Sequence, residues 1–93
     1  MSATNEEQAM VRISNKYGLH ARPAAEFVKL ANRFESEIWV RKQDLEVNGK
    51  SIMGMMMLAA ECGSDITIRA AGPDAQTAVR ELIALVERRF GEE

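Results

Sequence analysis

The chain has 93 residues, 46% hydrophobic and 28% charged, with a formal net charge of −2 at pH 7. That balance belongs to one small globular domain with a single core, residues 1–93, and excludes a disordered chain. The slight acidity argues against nucleic acid as a partner, and one cysteine with one histidine excludes an internal disulfide and a Cys/His metal centre.

Residues 1–7 are polar and expected to fray, and they lack the basic and apolar regions of a signal peptide. From Gln8 the pattern alternates. Ala9, Val11 and Ile13 fall on one face, with Met10, Arg12 and Ser14 on the other, as in a half-buried strand. Asn15–Leu19 is a loop hinged at Gly18. A helix then runs from Ala21 to Asn32, with Ala24, Phe27, Val28 and Ala31 at helical spacing. Pro23 fits its first turn, where a missing N–H breaks no intrahelical bond.

Glu37–Lys42 alternates again, with Ile38 and Val40 opposite Trp39 and Arg41. Gln43-Asp44 is a tight turn, and Leu45–Val47 a short returning strand. Ser51 is a good N-cap for a helix over Ile52–Ala60. This is the longest apolar run and is too short to cross a bilayer, so a cytoplasmic protein without membrane insertion is expected. Cys62 is expected to be a small buried side chain. Asp65–Ala71 is a strand with Ile66, Ile68 and Ala70 inward. Gly72-Pro73-Asp74 opens a last helix striped by Ala75, Ala78, Val79, Leu82, Ile83 and Val86. Arg88 and Arg89 suit its C-terminal end, and Gly91 stops it.

The order β-α-β-β-α-β-α, with one apolar face per strand, predicts an α+β fold. It is a two-layer open-faced sandwich: a four-stranded antiparallel sheet with three helices on one face.

The chemistry concentrates at Gly18-Leu19-His20-Ala21-Arg22-Pro23-Ala24. His20 stands at the mouth of a helix, where the first backbone N–H groups lack partners and the helix dipole favours negative charge. Neutral imidazole is nucleophilic near neutral pH, and its phosphoryl adduct is reactive enough to be passed on. The Ala21 and Arg22 backbone N–H groups and the Arg22 guanidinium can balance phosphate charge, the guanidinium through two parallel hydrogen bonds. Arg12 and Lys16 are further candidates for local positive charge. In the plain structural alternative, His20 merely caps the helix. No second acid, base or nucleophile is positioned near it in sequence. A hydrolase built on His20 would lack partners, whereas a carrier needs none.

These residues resemble HPr, the histidine-containing phosphocarrier family of the bacterial phosphotransferase system. The resemblance covers residues 9–90. It rests on the motif just given, on Val47-Asn48-Gly49-Lys50-Ser51-Ile52-Met53-Gly54, and more loosely on Gly63 through Gly72-Pro73-Asp74. It implies that His20 takes a phosphoryl group on Nδ1 from phosphorylated Enzyme I and passes it to a sugar-specific IIA domain, with Arg22 stabilising the phosphate. It implies a regulatory phosphorylation site at Ser51 for an HPr kinase/phosphorylase, and an apolar docking patch at Ile52, Met53 and Met56. No cofactor and no metal is implied, and a monomer is expected. Asn15-Lys16-Tyr17, the run Met55-Met56-Met57, and Ala59 in place of a frequent Gly lean toward the NPr relatives of a nitrogen-related regulatory branch. The alternative reading is therefore a regulatory protein whose phosphorylation state controls partners rather than sugar uptake.

Overall fold

The computed structural model describes residues 5–92. Four strands, β1 (Glu6–Arg12), β2 (Glu37–Lys42), β3 (Leu45–Asn48) and β4 (Asp65–Ala71), form one sheet. Three helices accompany them: α1 (Ala21–Ala31), α2 (Ile52–Met57) and α3 (Ala75–Glu87). The strand order is β1-β4-β2-β3, and every neighbouring pair is antiparallel. This is the expected open-faced sandwich.

The register follows from the alternation of side chains along each strand. Ala9 faces Ile68, Ile68 faces Val40, and Val40 faces Val47, so one apolar row crosses all four strands. Ile68 and Val40 are fully buried in that row. Against this face pack Phe27, Val28 and Ala31 of α1, Met55 of α2, and Ala78, Leu82 and Val86 of α3. On the solvent face, the Arg69 guanidinium lies 4.0 Å from the centre of the Trp39 ring, and it bridges Glu6 and Glu46.

Several boundaries differ from the expectations, each for a local reason. β1 begins at Glu6 inside the stretch expected to fray, because Glu6 and Glu7 pair with Ala71 and Ala70. The first four residues of that stretch lie outside the described residues. α2 stops at Met57 rather than Ala60: Leu58 caps it and Ala59 turns to a φ of +51°. The Lys42 ammonium donates to the Ala59 carbonyl at 3.0 Å, fixing that exit. Cys62 is exposed, contrary to expectation. It sits inside the tight turn closed by the Ser64 N–H on the Glu61 carbonyl, whose middle residues face solvent. α3 ends at Glu87, and Arg89–Gly91 form a separate turn with φ of +58°, +56° and +77°. No helix among the described residues is long and apolar enough to cross a membrane.

A histidine at the entrance of the first helix

The site is built on a rigid approach. Asn15 is fully buried and its amide donates to the Gly18 carbonyl at 2.8 Å, closing the loop after β1. Gly18 has a φ of +70°, and a Cβ there would stand 2.3 Å from the Ala60 carbonyl oxygen. Only glycine satisfies both the left-handed backbone and that close approach. Leu19 is buried and donates its N–H to the same carbonyl at 2.8 Å. The chain thus reaches His20 in a defined position.

His20 is the N-cap of α1, in extended conformation, and its side chain makes no capping hydrogen bond. Its carbonyl accepts from the Ala24 N–H at 3.0 Å. Among the described residues, the Ala21 and Arg22 N–H groups have no acceptor, and Pro23 has no N–H to satisfy. Two unpaired donors therefore open toward solvent beside the imidazole, which suits an anion. The His20 side chain is 41% exposed. Arg22 is exposed and has no ion-pair partner among the described residues.

Tyr17, His20, Arg22, Glu26, Phe90, Gly91 and Glu92 line one open cleft. The Tyr17 ring meets the imidazole edge-on with centroids 6.2 Å apart, and the Lys16 ammonium lies 5.2 Å from the Tyr17 centroid. The Glu92 Oε2 lies 3.4 Å from His20 Nε2. Its Oε1 accepts from the Asn15 amide at 3.2 Å. Neither Asn15 nor Glu92 stands out in the sequence as part of a site. They are 77 residues apart, and no spacing rule connects them.

The other sequence candidates lie elsewhere. Arg12 is engaged by Asp65 at 2.9 Å, and that hydrogen-bonded pairing raises the guanidinium pKa and lowers that of Asp65. Arg12 does not line the cleft. Ser51 is the N-cap of α2, its hydroxyl accepting from the Gly54 N–H at 3.0 Å. Ile52, Met53 and Met56 are exposed, as is Met57, while Met55 is fully buried. The helix thus divides its methionines between core and solvent, Met55 inward and Met53, Met56 and Met57 outward. No three His, Cys, Asp or Glu side chains among the described residues are grouped to hold a metal ion.

Residues 7–88 match the family model described as the PTS HPr component phosphorylation site. The phosphocarrier protein HPr of Neisseria meningitidis is 50% identical over 82 residues, covering 88% of this chain and 92% of that protein. The crystal structure of an HPr from Thermoanaerobacter tengcongensis superposes with a TM-score of 0.90 at 47% identity, covering 94% of this chain and 98% of that one. Crh, a catabolite-repression protein of Bacillus subtilis whose crystal structure is a domain-swapped dimer, is 47% identical with a TM-score of 0.73 over 85% of this chain and 91% of its own. An exposed histidine at a helix entrance, on this fold and with these relatives, makes the chain a member of the HPr family of phosphocarrier proteins of the phosphotransferase system.

Proposed function

We propose that His20 accepts a phosphoryl group on Nδ1 from phosphorylated Enzyme I and delivers it to a IIA-type acceptor in the cytoplasm. The supporting observation is the half-exposed imidazole beside the two unpaired N–H groups of Ala21 and Arg22. In this reading those donors and the Arg22 guanidinium hold the equatorial phosphate oxygens, a positioning and electrostatic role rather than covalent chemistry. The protein is consumed and regenerated at each cycle, a stoichiometric carrier rather than a complete catalyst. It acts as a monomer that meets each partner weakly and leaves quickly.

The test is incubation with Enzyme I and labelled phosphoenolpyruvate. One acid-labile phosphoryl group should appear, and none on His20→Ala. Arg22→Ala should slow the transfer by about tenfold or more, the scale of a lost charge-assisted hydrogen bond. Label persisting on His20→Ala would end this reading.

Ile52, Met53 and Met56 form the docking surface in this proposal, where adaptable methionines suit several partners. Met53→Glu should weaken both acceptance and donation. Ser51 is the regulatory site for an HPr kinase/phosphorylase, and a phosphate there would repel an acidic docking surface. Ser51→Asp should slow phosphorylation of His20 by Enzyme I; an unchanged rate would remove the regulatory role.

A second reading is favoured by the likeness to Crh. There the phosphorylation state of His20 or Ser51 controls a partner protein rather than sugar uptake, as in an NPr-like branch. Offering the phosphorylated protein to sugar-specific and nitrogen-branch IIA domains separates the two by where the label goes.

A further inference from the structure

We propose that Glu92 is a positioning residue for phosphoryl transfer at His20: its carboxylate holds the Nε2–H side of the imidazole and leaves Nδ1 unprotonated for the incoming phosphorus. The proposal rests on His20 being the phosphoryl acceptor. Both carboxylate oxygens are engaged, Oε2 at 3.4 Å from His20 Nε2 and Oε1 at 3.2 Å from the Asn15 amide. Asn15 is itself fully buried and tied to the Gly18 carbonyl, so the carboxylate is gripped from the protein side. Glu92 is correspondingly only 21% exposed in its side chain.

The chain accepts an uncommon backbone to bring Glu92 there. Arg89 and Phe90 both adopt positive φ, a conformation unfavourable to side chains with a Cβ. Phe90 is buried, and its turn packs on α1 and α3. That burial anchors the turn and aims the next residues at the start of α1. Strain retained beside a reactive group is a recurrent sign that the geometry serves the reaction.

The chemistry explains what the contact does. Neutral imidazole carries one N–H, and the nitrogen that carries it cannot attack. A carboxylate only accepts, so beside Nε2 it favours the tautomer with the proton on that nitrogen. Nδ1 then attacks the phosphorus of a phosphohistidine on the donor protein. The Nδ1–P bond forms as the donor N–P bond breaks, and the electron pair of the broken bond leaves with the donor imidazole. The Nε2 proton stays in place, and Glu92 offsets the positive charge that the ring acquires. In the forward transfer the same proton makes this imidazole the better leaving group, and the N–P pair returns to Nδ1.

The experiment compares the full chain with Glu92→Ala. In the unphosphorylated proteins, nitrogen-15 NMR above the imidazole titration reads the His20 tautomer. The share of the Nδ1–H form should rise about two- to fivefold in the variant, the scale of a partly exposed charge contact. His20 is then phosphorylated directly with phosphoramidate, which needs no partner protein. Loss of the phosphoryl group should be slower in Glu92→Ala by about the same factor. An unchanged tautomer ratio and an unchanged lifetime in a variant with wild-type amide dispersion would overturn the proposal. Failure of Enzyme I to label the wild-type chain would instead overturn the carrier reading, and the tautomer ratio would still decide the part played by Glu92.

Discussion

Ala59 shows how a single residue can carry a cost that composition hides. At a φ of +51° its Cβ crowds its own backbone, a conformation in which glycine is at ease. Ala59→Gly should therefore raise stability by about 0.5–1 kcal/mol, the strain relieved less the extra freedom of the unfolded glycine. The measurement is urea denaturation, with the midpoint moving upward. A fall would mean that the greater freedom of the unfolded glycine outweighs the strain relieved. His20 and Gly18 were visible in the sequence as a lone histidine after glycine and before Arg-Pro, but a histidine that merely caps a helix reads the same way, and only the family motif around it separated the two. The reason for Gly18 was not visible there, since the Ala60 carbonyl that excludes a side chain comes from a distant loop. Glu92 and Asn15 were equally hidden, because their meeting depends on a turn in an uncommon backbone region.

At the scale of the element, α2 is the fragile piece. Six residues are too few to persist by helical propensity alone, so caps and docking must hold it. The Ser51 hydroxyl on the Gly54 N–H is its N-terminal cap. Ser51→Ala should cost about 1 kcal/mol in equilibrium denaturation. Ser51→Asp keeps an acceptor at that position and should remain close to wild type, so that any slowing of transfer in that variant reports on partners and not on folding. The cap was readable because serine before an apolar run is a local signal. The helix end was not, because Leu58 and Ala60 remain buried after the helix stops, and the apolar pattern therefore continues past it.

Across the whole molecule, Asp74 joins parts that are distant in the chain. Its carboxylate accepts from the Ser36 hydroxyl at 2.6 Å and from the Glu35 and Ser36 N–H groups at 2.9 and 3.0 Å. It thereby locks the entry of β2 to the start of α3. The Ser36 hydroxyl, followed by the Glu35 amide, lowers the Asp74 pKa below its ordinary 3.8, against a smaller opposing effect of desolvation. Because the folded value is depressed, this contribution is present above 3.8 and is lost as pH falls through the folded value. Asp74→Asn should be less stable than the native chain near neutrality, and its stability should fall less steeply on acidification below 3.8. Thermal melts across that range decide it; parallel pH profiles for the two proteins would refute the assignment. At sequence level Asp74 read only as the opening of the last helix, yet its side chain makes no cap there.

The sequence by itself determined the order of elements, the apolar face of each strand, and the place of the lone histidine at the entrance of the first helix. Those properties are local: periodicity two or three and a half residues long, and turn residues at their joints. Tertiary structure alone decided that β4 lies between β1 and β2, that Cys62 points to solvent, and that Glu92 reaches His20. Each of those is a meeting of distant segments, chosen by how one apolar face covers another and by which buried polar group needs a partner, and no short stretch of residues encodes such a meeting.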